Sequence, residues 1–309
     1  MNLFKKFVKY SQFSTGDFEN IFAGFQVPPC PQVVLELVNK LRNPDIDIEQ
    51  IVSVLESDAS LAGQILKAVN SALYALPAQV TSINKAVSIL GLREIENIAI
   101  GYAMTKTVKD PEQQGFDITS YWTESILRAL FARNCASVME VETEEAFSAG
   151  LLQDIAVPQL LSQWFQVYSR AYNEWLRQGG DLHSMETHLF SWNHCQAGAW
   201  IARKWKLPDL LICCIGLHGA SQTEIRELKL ENTAVAPVAL SSRLTLTGFS
   251  EQAAAQLAEQ AGERGIGTEK LLELVKKSEK MVEELAGVFG VRISSGIEVS
   301  NVIEAVVHP

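Results

Sequence analysis

Cys30, Cys135, Cys195, Cys213 and Cys214 are the side chains best suited by type to hold a metal, form disulfides or attack a substrate. Their spacing supports none of these. The count is odd, and no pair has the CxxC spacing of a zinc site. Cys213 and Cys214 are adjacent inside the apolar run LLICCIGL, where buried reduced thiols are expected. A zinc site is therefore not expected. No Ser-His-Asp or Cys-His nucleophile signature surrounds the serines and cysteines. The AGERGIG run at 261–267 follows a helical pattern rather than a strand. It lacks the Lys-Ser/Thr of a phosphate loop and reads as a plain loop. Trp164, Trp175, Trp192, Trp200 and Trp205 crowd the second half and could stack on a nucleotide base. Because aromatic side chains mainly carry buried area, they are read as packing residues.

The elements that would position such groups are helical. Val33, Val34, Leu37, Val38 and Leu41 form one apolar stripe, which Pro44 stops. Ile48, Ile51, Val52 and Leu55 form the next, with Asp47 as its cap. Leu61, Ala62, Ile65, Leu66 and Val69 form a third behind Asp58. Ser82 caps a fourth carrying Ile83, Ala86, Val87 and Leu90. Gly91 ends it, and a fifth begins at Leu92. Connections this short force each helix onto its sequence neighbours. A Pro/Gly-bearing loop at 109–115 then separates the halves.

Beyond it, the pattern predicts helices over 118–140 and 144–154, a break at Pro158, and a helix rich in Trp and Tyr. Further helices are expected over 194–205 and 209–217, the last opened by Pro208. A polar stretch at 219–232 follows. Helices are then expected within 237–246, 252–261 and 268–285. Lys276, Lys277, Glu283 and Glu284 are read as a solvated helix face. The final VRISSGIEVSNVIEAVV fits a terminal strand pair and a short helix equally well.

The chain has 309 residues, of which 47% are hydrophobic and 20% charged, enough to build a core. Its formal net charge of −10 argues against broad nucleic-acid binding, which needs a cationic surface. The opening MNLFKKFVKYSQFS has no long apolar run of the kind a signal peptide carries, and is read as a loosely docked terminal helix, with an amphipathic helix that touches a membrane or partner as the alternative. The most apolar later stretch, 207–217, is too short to span a bilayer. A cytoplasmic protein without a membrane span is expected.

Several motifs occur in a linked order. PPCPQVVLEL, DIDIEQIVSVLESDASLAGQILKAVNSALY and TSINKAVSILGLREIENIA lie in the first half. SAGLLQDIA and ETHLFSWNHCQAGAWIARKWKLP lie in the second. Across roughly 26–246 the chain resembles the HDOD family of bacterial signalling proteins. The resemblance implies an all-α, two-lobed bundle whose second lobe is shaped like an HD-type metal phosphohydrolase. The expected division is an N-terminal segment (1–25), a first lobe (26–110), a degenerate HD-like lobe (116–248) and a C-terminal extension (249–309).

HD-type enzymes hold one or two metals with His and Asp side chains from several helices, which polarise a phosphate and activate water. Carried over by resemblance, that pattern is eroded. Glu124, in YWTESILRA, stands at the first His position. Gln153 replaces the His of the His-Asp pair, and Asp154 keeps the acid. His194 matches a His of the pattern. His218 matches the first of a His-His pair whose second member is Gly219. Ser242, in LSSRLTL, takes the place of the final Asp. No bound metal, catalytic residue or cofactor is expected. Asp154 would cap a turn or bond backbone amides. His194 would be a hydrogen-bonded packing residue, and His218 would complement a helix C-terminus.

The expected function is thus non-enzymatic signalling through a protein partner in trans or a nucleotide-type ligand, with homo-oligomers compatible. The rivals are a metal-dependent phosphohydrolase using Glu124, Asp154, His194 and His218, and a nucleic-acid-binding regulator.

Overall fold

The computed structural model describes residue 21 and residues 24–43, 45–296 and 298–307. The reading of the opening segment falls outside these. Among the described residues every regular element is a helix. The first half comprises α1 (Gln32–Leu41), α2 (Ile48–Glu56), α3 (Ala59–Val69) and α4 (Ile83–Thr107). The caps are the expected ones: Asp47, Asp58 and Ser82 accept backbone N–H groups at the starts of α2, α3 and α4. Gly91, at φ +78°, breaks the helical path without a loop, so the fourth and fifth expected helices form one kinked element.

The second half holds α5 (Ile118–Val138), α6 (Thr143–Leu152), α7 (Ala156–Gln163), α8 (Phe165–Gln178), α9 (Leu182–Phe190), α10 (His194–Lys204), α11 (Asp209–Leu217), α12 (Gln222–Glu227) and α13 (Val235–Ser241). Two expectations are corrected here. Pro158 does not break a helix; it lies in the first turn of α7, where no intrahelical N–H is needed, and the chain turns instead at Trp164. The polar stretch at 219–232 contains α12, which is started by a reciprocal Ser221–Glu224 capping box.

The chain ends in α14 (Glu251–Gly262), α15 (Thr268–Phe289) and α16 (Val299–Val307). Of the final segment only Val299–Val307 is regular, and it is helical; no strand is present among its described residues. α15 packs on α5 and also reaches α3 and α4, so it touches both halves. Its buried Ser278 accepts from Asn134 Nδ2 of α5 at 2.9 Å, and the Phe289 ring lies against Gly101 of α4. Lys276, on the solvated face expected of it, pairs with Glu304 of α16 at 2.8 Å.

α5 and α6 are the axis of the molecule. They pack on each other, and α4, α11, α13 and α15 lie against one or both. A polar seam crosses from the first half to this axis. Arg133 bridges Glu94 (2.7 Å) and Glu144 (2.9 Å), while Asn97 bonds Glu144 and Ser148. The two-proline segment is tied across as well: Pro28 O accepts from Trp205 Nε1 at 2.8 Å and Pro29 O from Thr107 Oγ1 at 3.2 Å. No described helix is long and apolar enough to cross a membrane.

Candidate functional site

Five of the six positions named from the sequence meet around the lower end of α5. Glu124 and Arg128 are one turn apart on this helix, and its N-cap, Asp117, accepts from the N–H groups of Thr119 and Ser120. Gln153 and Asp154 follow the last turn of α6. His194 opens α10 behind a reciprocal Asn193–Gln196 capping box. His218 closes α11, and Ser242 closes α13.

Asp154 is the hub, and it does not cap a turn as expected. Its Oδ2 accepts from Arg128 Nη1, and its Oδ1 lies 3.2 Å from His194 Nε2 and 3.4 Å from His218 Nε2. Burial alone would raise this carboxyl. The Arg128 guanidinium and the two imidazoles override it and hold it well below 3.8. Arg128 also approaches Glu124 Oε2 through Nη2 at 3.3 Å and donates through Nε to the Leu244 carbonyl at 2.6 Å. Glu124 spends its other oxygen on the N–H groups of Leu246 (2.6 Å) and Thr247 (3.4 Å). Burial foremost keeps its pKa raised despite Arg128.

The imidazoles are anchored from behind. Glu186, on α9 and with no exposed surface, accepts from His194 Nδ1 at 2.6 Å, from the His194 backbone N–H at 2.8 Å and from Tyr168 OH. His218 Nδ1 lies 2.7 Å from the Ile215 carbonyl, the helix-end role expected of it. With Nδ1 of both rings bonded to acceptors, the two Nε2 atoms face one another at 3.1 Å. Cys195 Sγ stands 3.4 Å from His218 Nε2 and 3.9 Å from His194 Nε2. His194 and His218 are therefore more than packing and helix-end residues: they share one buried polar centre.

The remaining positions are poor donors. Gln153 is 1% exposed, and neither its Oε1 nor its Nε2 has a hydrogen-bond partner among the described residues. Gly219 offers no side chain. Ser242 Oγ is committed to the carbonyls of His218 (2.8 Å) and Ala239 (2.9 Å). The hard metal centre of an HD-type phosphohydrolase does not fit these residues. Its remaining carboxylates, Glu124 and Asp154, are both already engaged by the same guanidinium. Arg128, Glu186 and Cys195 were not among the residues the sequence singled out for the site.

A cavity of about 140 Å³ opens onto this centre. Its floor is Arg128, Asp154, His194 and His218, and its walls include Phe116, Tyr121, Tyr172 and Trp175. Of the tryptophans, Trp192, Trp200 and Trp205 are buried packing residues, as expected. Trp175 lines this cavity and is fixed by Nε1–H donation to the Gly180 carbonyl at 2.9 Å.

The bundle and the half-retained His/Asp constellation define an HD-related helical domain. A sequence model of the HDOD domain matches residues 27–221, and the chain belongs to that family. Solved structures share the fold. An HDOD domain protein of unknown function from Geobacter sulfurreducens aligns with a TM-score of 0.64 at 20% identity, over 97% of this chain and 98% of its own. A Shewanella amazonensis protein provisionally described as a phosphohydrolase gives 0.66 at 20% identity, over 92% and 98%. Among sequence relatives, an uncharacterized protein of Treponema pallidum is 23% identical over 194 residues, which are 62% of this chain and 37% of that one. The Bacillus subtilis protein YuxH is 38% identical over 61 residues, 20% of this chain and 15% of its own. The chain thus matches well under half the length of these curated relatives.

Proposed function

We propose that this HDOD protein is a signalling module that acts by binding rather than by turnover. The observation that carries this reading is Arg128. Its guanidinium occupies the carboxylates that a hydrolytic centre would need for a hard divalent ion, and without that ion nothing supplies an activated water. Arginine stays charged under all ordinary conditions, so the carboxylates stay engaged.

A protein partner in trans is favoured over a nucleotide-type ligand. A cavity of about 140 Å³ holds a ring or a phosphate group. It is smaller than the roughly 300 Å³ at which small-molecule sites begin. The net charge of −10 weighs against a nucleic-acid partner.

The test is hydrolysis of phosphomonoester, phosphodiester and cyclic-dinucleotide substrates with Mg²⁺, Mn²⁺ or Fe²⁺ supplied. Turnover no greater than that of the Asp154→Asn variant is expected. Metal-dependent turnover that this substitution abolishes would overturn the reading.

A further inference from the structure

Cys195 does something its spacing in the sequence does not announce. It follows His194 directly, yet its sulfur meets His218, a residue from another helix end, at 3.4 Å. The Nε2 atoms of His194 and His218 and the Sγ of Cys195 all lie within 4.8 Å of one another, and all three residues are buried. Their separations are 3.1, 3.4 and 3.9 Å. Zinc bonds of about 2.0 Å to nitrogen and 2.3 Å to sulfur, set tetrahedrally, would separate the two nitrogens by about 3.3 Å and each nitrogen from the sulfur by about 3.5 Å. The observed triangle is close to that.

The surroundings are those of a ligand set. Each ring uses Nδ1 on an acceptor, Glu186 for His194 and the Ile215 carbonyl for His218. Such partners fix the ring and leave Nε2 as the donor aimed at a metal. Asp154 Oδ1, 3.2 Å from His194 Nε2 and 3.4 Å from His218 Nε2, accepts from the rings when no metal is bound. A thiolate beside two imidazoles suits a borderline or soft cation.

Room and access are also present. A β-carbon on Gly219 would come within 3.1 Å of Cys195 Sγ and 3.0 Å of the His183 ring, so the bare backbone there lets the sulfur sit where it does. Cys195 lines a second cavity of about 730 Å³, which shares His183 with the one that His194 and His218 line.

We infer that His194, Cys195 and His218 form a site for one zinc-class divalent cation, distinct in donor set from a phosphohydrolase centre. Asp154 keeps its Oδ2 on Arg128, and its Oδ1, 3.2 and 3.4 Å from the two Nε2 atoms, is not counted among the three donors. On binding, the thiol proton and the protons held on the two Nε2 atoms leave to solvent, and the thiolate, two neutral imidazoles and one further ligand complete the coordination. The site is independent of whether the chain turns over a substrate.

The experiment is titration of the full chain, purified without a metal-affinity tag and stripped with chelator, first with Co²⁺ alone and then with Zn²⁺ in competition. The expected result is about one equivalent of Co²⁺ with tetrahedral visible bands and a near-ultraviolet thiolate-to-cobalt band, all removed by zinc. Cys195→Ser should lose the thiolate band, whereas Cys214→Ala should keep it. Glu186→Gln should weaken zinc binding by about 10–100-fold. Circular dichroism checks that each variant is folded. If Cys195→Ser does not fold, the wild-type band decides, read against the Cys214→Ala control. No stoichiometric binding, or cobalt binding without the thiolate band, would overturn the inference. So would a band that survives in folded Cys195→Ser, or metal bound through Glu124 and Asp154 and lost only on their substitution.

Discussion

Arg128 and Asp154 stand 26 positions apart in the chain and are joined through Nη1 and Oδ2 inside the bundle. The same guanidinium contacts Glu124 and the Leu244 carbonyl. One side chain on α5 therefore ties the end of α6 to the segment after α13. Removing one partner of a buried ion pair strands the other charge, at a cost of about 3–5 kcal/mol. Arg128→Met is expected to lose stability on that scale in urea unfolding. Arg128→Lys should recover little of it, because an ammonium cannot meet three acceptors with a planar fork. A variant within about 1 kcal/mol of wild type would show that the pair is solvated rather than buried.

Gln153 gives the opposite expectation. A buried amide with neither atom hydrogen-bonded carries a desolvation cost of about 1–3 kcal/mol. Gln153→Met keeps most of the volume and removes the polar atoms. It should raise the denaturant midpoint without changing the slope. A lowered midpoint would mean that the amide has a partner, such as an ordered water.

Most helices were legible because each turns an apolar stripe to a nearby neighbour and begins with a side-chain cap. Asp47, Asp58 and Ser82 all do what their positions announce. The site was legible only in part. Glu124, Asp154, His194 and His218 could be placed through the motifs around them. Arg128 could not: one turn beyond Glu124, an arginine on a helix normally faces water, and its burial depends on residues 244–247 closing over it. Cys195 and Glu186 were hidden for the same reason, since their partners come from other helices. The capping box of α12 was a signal present in the sequence, Ser221 followed three positions later by Glu224, inside a stretch too polar to show an apolar stripe.

The cap of α5 predicts a pH effect. Asp117 accepts from the Ser120 hydroxyl (2.6 Å) and from the N–H groups of Thr119 (3.0 Å) and Ser120 (3.2 Å). The Ser120 hydroxyl is the foremost cause that holds its carboxyl below 3.8. A depressed carboxyl stabilises the fold above its unfolded-state pKa and loses that contribution as the pH falls through the folded-state value. Asp117→Ala should therefore cost about 1 kcal/mol at neutral pH. The gap from wild type should narrow in a pH series running below 3.8. A gap that stays constant across the series would assign the cost to packing instead of the charged cap.

Glu186 is the residue on which both imidazole geometry and local stability converge. It has no exposed surface, and its carboxyl oxygens accept from Tyr168 OH, His194 Nδ1 and the His194 N–H. Hydrogen bonds to a charged group are worth about 1.5–3 kcal/mol each, so Tyr168→Phe should lower stability by that amount. Glu186→Gln keeps the shape but leaves the tyrosine and imidazole with a weaker, neutral acceptor. If the two residues act as one network, the double variant should lose less than the sum of the single losses. The coupling should lie between about 0.5 and 3 kcal/mol in a double-mutant cycle read by urea unfolding. Strict additivity would mean that Tyr168 packs beside Glu186 without supporting it, and that His194 alone orients the carboxylate.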